Sequence, residues 1–134
     1  MKYKILERED YAEDLDFRFY IDKCEDESGN IIYCLVARAL SSKKEIRLFE
    51  NSEFITFTQI NKEIKEFLIN HIVECLRINV NFYSLENIKI KQLADGIKID
   101  NKIFTLTKYH GSKDYDALYK STTDYIINKC AEVC

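Results

Sequence analysis

The chain has 134 residues, of which 46% are hydrophobic, and it contains three glycines, no proline and a net charge of −3. This size and apolar content are typical of one folded domain over residues 1–134 and exclude a largely disordered chain. No apolar run approaches the roughly 20 residues of a membrane-spanning helix, and acidic residues follow the N-terminus too closely for a signal peptide. We therefore expect a cytoplasmic protein without membrane contact.

The first half of the chain predicts a meander of antiparallel strands. Apolar and polar residues alternate over 15–22, as in a half-buried strand. After turn-forming residues at 25–30, the strand over 31–40 is apolar on both faces, as in a central strand. The strands predicted in this half are 3–6, 15–22, 31–40, 45–50 and 54–57.

The middle of the chain predicts a long helix. Apolar residues recur at helical spacing over 60–79, and Thr58 is the expected N-cap. Ile69, Val73 and Ile78 widen the apolar arc beyond an ordinary surface stripe. Because leftover apolar surface usually marks an interface, we expect a homodimer or a larger assembly.

The region after this helix predicts a strand and a hairpin. The pair Asp100-Asn101 suits the two-residue loop of a hairpin, since these residue types tolerate positive φ angles. With that loop, Phe104 lies opposite Ile97, so both side chains are expected to point into one core.

A second helix is predicted at the end of the chain. Ser112 is its expected N-cap, and Asp114 and Asp116 lie in the first turn, where acidic residues suit the helix dipole. The order of the elements predicts an α+β fold in which an antiparallel sheet, made of the meander and the C-terminal hairpin, packs against two α-helices.

The cysteines and histidines indicate neither a metal site nor a redox site. The cysteines are odd in number, form no C-x-x-C pair and lie outside metal-ligand spacing to either histidine. We expect reduced thiols that pack as small apolar side chains, at Cys24, Cys34, Cys75, Cys130 and Cys134. His71 lies on the inner stripe of the first helix and is interpreted as a packing residue. No cofactor is expected.

The segment before the last helix is one candidate ligand site. Basic, aromatic and imidazole side chains coincide there with the N–H groups of a helix N-terminus, which favour anions such as the phosphates of a nucleotide. The candidate ligand-binding residues are Lys108, Tyr109, His110, Lys113 and Tyr115. The other interpretation is that Gly111 and Ser112 form only a turn and a cap, with His110 in solvent.

Acidic residues near the N-terminus form a second candidate site. Residues 1–30 contain five Lys or Arg against ten Asp or Glu, a balance of −5. An acid-rich surface steers a protein towards basic partners; a solvated acidic face is the other interpretation. The candidate partner-binding residues are Glu7, Glu9, Asp10, Glu13 and Asp14.

No motif in the chain indicates catalysis, since G-x-S-x-G, H-E-x-x-H and Gly-rich phosphate loops are all missing from the sequence. We therefore expect a non-enzymatic binding or inhibitor protein, of the immunity or anti-defence type, that acts through protein–protein contact. The abundance of Ile, Lys and Asn is typical of an AT-rich bacterial or phage genome. The alternatives are a nucleotide-binding protein that uses residues 108–115, and a hydrolase or nuclease centred on His110.

Overall fold

A computed structural model describes residues 3–106 and 112–133, and its helices and antiparallel sheets confirm the predicted α+β fold. The strands of the described residues are β1 (Lys4–Asp14), β2 (Phe17–Glu25), β3 (Ile31–Ala39), β4 (Glu45–Asn51), β5 (Ile90–Leu93), β6 (Gly96–Ile99) and β7 (Lys102–Thr105). The helices are α1 (Phe57–Phe82) and α2 (Ser112–Val133).

The chain divides into two compact units, Met1–Ile64 and Lys65–Cys134, and α1 runs across the boundary between them. The meander and the C-terminal hairpin form two separate sheets, of four and three strands, rather than one. Alternating apolar residues predict that a strand exists, but they do not say which hydrogen-bonded ladder it joins. The expectation of a single domain over 1–134 stays a prediction.

The sheet of the first unit is an antiparallel meander in the order β1-β2-β3-β4, so β2 and β3 are central and β1 and β4 are edges. Asp26 closes the turn between the central strands, because its carboxylate accepts the backbone N–H groups of Ser28 and Asn30 at 2.9 and 2.8 Å. The hydrogen bond from the Asn30 N–H, with the others in the turn, lowers the pKa of Asp26. Gly29 adopts a φ of 83° in the same turn, a conformation that glycine tolerates best.

Strand β1 is much longer than the strand predicted over 3–6. It extends for 11 residues, up to the two-residue turn at Leu15 and Asp16, where Leu15 adopts a φ of 52°. Acidic residues have a low propensity for strands, but this propensity is a weak effect. The hydrogen-bonded pairing of β1 with β2 overrides it. The strand predicted to start at 15 accordingly starts at Phe17.

The strand predicted over 54–57 is wrong, because the structure has irregular backbone followed by the first residue of α1 in this region. The Thr56 hydroxyl oxygen accepts the backbone N–H of Gln59 at 3.2 Å, and the Thr56 carbonyl accepts that of Ile60 at 2.9 Å. Thr56 is therefore the N-cap, two residues before the predicted Thr58, and helix α1 begins at Phe57.

The four-stranded sheet curls towards one of its faces. On that face the Arg8 guanidinium of β1 binds both carboxylate oxygens of Asp22 at 2.7 Å and also reaches Glu45 of β4 at 2.8 Å. Next to it the face has a buried cluster that includes both Cys24 and Cys34. Cys24 pairs with Ile32, and Cys34 with Asp22, so the two thiols lie diagonally rather than directly opposite each other.

The second unit contains the three-stranded sheet β5-β6-β7, and α2 contacts β6 and β7. The predicted turn at Asp100 and Asn101 is confirmed, with Phe104 opposite Ile97 in the ladder. The buried described residues of α2 recur at helical spacing and form one face, which consists of Tyr115, Leu118, Thr122 and Ile126. The buried Thr122 hydroxyl donates to the Leu118 carbonyl at 2.7 Å.

The apolar arc of α1 is mostly covered within the chain. Ile69 and Val73 are buried, whereas Ile78 is exposed. Two of the three residues on which the oligomer prediction rested therefore offer no surface to a second copy. The homo-oligomer stays a prediction that rests on Ile78 alone.

Candidate functional site

A pocket of about 410 Å³ lies in the first unit, where β1, β2 and β3 meet the segment that leads into α1. Ligand pockets in proteins typically have volumes of about 300–1,000 Å³. The lining combines acidic and aromatic side chains: Glu7, Glu9, Asp10, Tyr11, Ile21, Lys23, Tyr33, Phe54, Ile55, Phe57 and Ile60. We call this the acidic–aromatic pocket.

The acidic wall of the pocket comes from the register of β1 on β2. Glu7 pairs with Lys23 and Glu9 with Ile21, so that both glutamates lie on the face opposite to Arg8. The lining contains three acidic residues and one lysine, which gives the pocket a negative balance. Such a balance favours cationic ligands.

One aromatic side of the pocket is set by an irregularity in β1. The ladder with β2 shifts between Asp10 and Ala12 and leaves Tyr11 without a partner residue in the ladder. The Tyr11 hydroxyl instead donates to the Asn61 side-chain oxygen at 2.7 Å, and its ring stacks on Phe57 with centroids 6.1 Å apart. Burial raises the pKa of the Tyr11 hydroxyl.

The other aromatic side is the stacked pair of Tyr33 and Phe54, whose ring centroids are 4.9 Å apart. Phe54 is 81% exposed and Phe57 is 73% exposed, which is unusual for phenylalanine. A second, more open depression of about 550 Å³ shares Lys23, Tyr33 and Phe54 with the pocket. Phe54 therefore stands between two concave regions of one surface.

The structure brings together three of the five acidic residues predicted to bind a partner. Glu7, Glu9 and Asp10 line the pocket. Glu13 is instead paired with Arg18 at 2.8 Å, and Asp14 accepts the backbone N–H of Leu15 at 3.0 Å in the turn after β1.

The aromatic residues of the pocket were missed by sequence reasoning. The sequence pattern predicts a strand at Phe54 and Phe57, and it includes Tyr33 in the apolar run of a central strand. Tyr11 lies inside the acidic run, where nothing distinguishes it from a solvated residue. The signal available was the Asn51-Ser52 break followed by two phenylalanines three residues apart, but it does not identify the surface that they reach.

The candidate ligand site at 108–115 lies mostly outside the described residues. This applies to Lys108, Tyr109 and His110 entirely, and to the side chain of Lys113. Tyr115 is described and is buried at 8% exposure, as part of the apolar face of α2. The nucleotide alternative and the hydrolase or nuclease alternative stay predictions.

The second unit contains a contact between a cysteine and a histidine on α1. The Cys75 sulfur lies 3.7 Å from the His71 Nε2 atom, one helical turn away. A cysteine nucleophile needs a lowered thiol pKa, whereas burial raises the pKa of Cys75. The contact therefore resembles packing within a half-buried helix face, in line with the interpretation of His71.

The part of the chain that the structure describes contains no metal site, no membrane-spanning helix and no disulfide. Within residues 3–106 and 112–133, no group of three or more His, Cys, Asp or Glu side chains is placed to hold a metal ion. The two described helices are not apolar enough over a sufficient length to cross a bilayer. None of Cys24, Cys34, Cys75 and Cys130 is in a disulfide.

Comparison with known proteins adds no functional assignment. No protein-family model, curated protein or solved structure matches the chain. The acidic–aromatic pocket is thus the feature of the described residues from which a function can be argued.

Proposed function

We propose that this protein is a non-enzymatic binding protein that inhibits or neutralises a basic protein partner through direct contact. Bacterial immunity proteins and phage anti-defence inhibitors act in this way, and the cytoplasm is the proposed location. The observation that supports the proposal is the acidic–aromatic pocket on the edge strand β1, with two strongly exposed phenylalanines beside it.

The aromatic residues supply the contact energy in this proposal. Large exposed apolar side chains in one patch usually mark an interaction site. Aromatic residues are enriched in protein interfaces, and a few anchors that fill pockets carry most of the binding energy. Phe54 is suited to this role because it is exposed on the surface and held in place by the Tyr33 ring.

The acidic residues supply the preference for a basic partner. Glu7 and Glu9 line the same pocket as the aromatic rings, so a basic surface that covers the pocket brings opposite charges together. Complementary charge accelerates encounter and disfavours acidic competitors. The proposal therefore predicts binding that weakens as the salt concentration rises.

A charge-reversal experiment tests this proposal. Partner proteins are captured from a lysate of the host with the wild-type chain and with a Glu7→Lys/Glu9→Lys variant, and are identified by mass spectrometry. The matched control is Glu27→Lys/Glu86→Lys, which makes the same change in net charge at two exposed acidic residues outside the pocket lining.

We expect one partner to be retained by the wild-type chain and by the control but lost from the pocket variant. The activity of the purified partner should then decrease when the wild-type chain is added in equimolar amount. Equal retention by the pocket variant and the control would refute a role for the pocket, and a partner whose activity is unchanged would refute inhibition.

A further inference from the structure

We infer that the acidic–aromatic pocket binds an arginine side chain that the partner presents. This inference rests on the proposed function and specifies the chemistry of the contact. The sheet face opposite the pocket binds arginines of this chain with carboxylates and aromatic rings. The pocket contains the same two kinds of group.

The curled face shows how this sheet binds an arginine. The guanidinium of Arg8 donates from Nε and Nη2 to the two oxygens of Asp22, each at 2.7 Å, and its central carbon lies 4.7 Å from the centroid of the Tyr20 ring. Arg47 lies over the ring of Tyr3 in a similar way, at 4.3 Å. Each guanidinium is therefore placed on an aromatic face, and that of Arg8 is also paired with a carboxylate.

The pocket on the opposite face contains the same two kinds of group. Carboxylates are supplied by Glu7 and Glu9, and aromatic faces by the pairs Tyr33–Phe54 and Tyr11–Phe57. Among the described residues of the lining, Lys23 is the one basic side chain and none is an arginine. The groups that bind arginine are present, and the guanidinium has to come from outside.

Arginine fits this lining better than lysine does. A guanidinium is planar and weakly hydrated, so it can stack on Phe54 while it donates two parallel hydrogen bonds to one carboxylate. An ammonium group is compact and strongly hydrated, and it gains less from the rings. Phe54 therefore favours arginine over lysine, whereas the glutamates attract both side chains.

The test uses a small probe, so that it needs no knowledge of the partner. The peptide acetyl-Gly-Arg-Gly-amide is titrated into the full-length ¹⁵N-labelled chain and followed by NMR. The peptides with lysine and with citrulline, an uncharged analogue of arginine, are titrated in parallel. We expect saturable shifts in the low millimolar range for the arginine peptide, confined to residues that line the pocket, and weaker binding of the other two.

Two variants and one control assign the site. Glu9→Gln removes a carboxylate, and Phe54→Ala removes an exposed ring, so each should weaken arginine binding about tenfold. Phe82→Ala is the control because Phe82 is 79% exposed, close to Phe54, but lies at the end of α1 outside the pocket lining. Its affinity should equal that of the wild-type chain, and the dispersion of the NMR spectrum verifies that each variant is folded.

Several results would overturn the inference. These are the absence of saturable shifts, equal binding of the citrulline or lysine peptide, and unchanged affinity in Phe54→Ala and Glu9→Gln. If arginine is not bound while Glu7→Lys/Glu9→Lys still loses its partner, this inference fails and the proposed function stands. If arginine is bound but no partner exists, the proposed function fails and the binding site stands.

Discussion

The Nη1 atom of Arg8 lies 2.8 Å from the Oε2 atom of Glu45, although the two residues belong to the two opposite edge strands of a four-stranded sheet. The edge strands of a flat four-stranded sheet would be about 14 Å apart. Across the ladder Arg8 lies level with Glu50, which is five residues from Glu45 along β4. The Arg8 and Glu45 side chains can meet across this diagonal only if the sheet curls, and the contact of Tyr3 with Arg47 across the same face supports this geometry. Arg8 connects β1, β2 and β4 because it binds Asp22 with the same guanidinium.

Arg8→Met should destabilise the protein by about 3–5 kcal/mol, because it leaves the carboxylate of Asp22 buried without its counter-ion. Asp22 is 2% exposed, and both of its carboxylate oxygens bind the Arg8 guanidinium at 2.7 Å. The measurement is urea unfolding followed by circular dichroism. The control is Arg18→Met, which removes the exposed pair with Glu13 and should cost less than about 1 kcal/mol. Similar losses in both variants would contradict a special role for Arg8.

Glu45→Gln should remove a part of the stability that depends on pH. The hydrogen bond from Arg8 lowers the pKa of Glu45 in the folded protein. The carboxylate therefore stabilises the fold at pH values above its unfolded pKa of about 4.3. This stabilisation is lost as the pH falls through the folded pKa. The effect should be below about 1 kcal/mol because Glu45 is partly exposed. The wild-type chain should exceed the variant in unfolding free energy at pH 7, and this difference should shrink as the pH falls through the folded pKa of Glu45. A difference in unfolding free energy that stays the same between neutral and acidic pH would refute the pair.

Gly96→Ala should destabilise the second unit by on the order of 3 kcal/mol. A Cβ atom at Gly96 would collide with the Phe104 carbonyl oxygen and would lie 2.8 Å from the Thr105 Cα atom, and neither backbone atom can move without breaking the ladder between β6 and β7. The comparison is Gly29→Ala, which has room for a Cβ atom but a positive φ, and which should cost about 1 kcal/mol. Unfolding midpoints in urea distinguish the two, and equal losses would contradict the steric argument.

The thiols of Cys24 and Cys34 should resist alkylation in the folded protein. Both are buried, and burial together with the neighbouring Cys24 raises the pKa of Cys34 to about 12, so that little thiolate forms at pH 8. Labelling with N-ethylmaleimide and peptide mapping by mass spectrometry should find these two positions modified last. In denaturant all five cysteines should react. Rapid labelling of Cys34 in the folded chain, or fewer than five reactive thiols after unfolding, would contradict these expectations.

Residue patterns predicted most of the secondary structure because each pattern has a local cause. The hairpin at Asp100 and Asn101 follows from turn residues, and the buried face of α2 follows from helical periodicity. Strand β1 was underestimated because its partner β2, and not its own acidic residues, makes it a strand. The predicted N-cap of α1 lies two residues too late, because Thr56 and Thr58 are equally good N-caps in sequence.

The candidate site could be predicted only in part, because a pocket is a property of contacts between distant residues. The acidic run at 7–14 was visible as charge, and three of its members line the pocket. The rings that complete it come from Tyr33 and Phe54, which are 21 residues apart in the chain numbering and stack only after the sheet has formed. Local periodicity contains no information about such a pair.

The alternation of side chains along β1 has a consequence for how this protein can change. Arg8 points to the curled face, where it binds Asp22 and Glu45, while its neighbours Glu7 and Glu9 point to the pocket. Under the proposed function, adjacent positions of one strand therefore serve different purposes, with Arg8 in an ion pair within the fold and Glu7 and Glu9 in recognition. If the proposed function holds, substitutions at the exposed positions 7 and 9 change the charge of the pocket and leave the Arg8–Asp22 pair in place, which makes this edge a starting point for directed evolution of altered specificity.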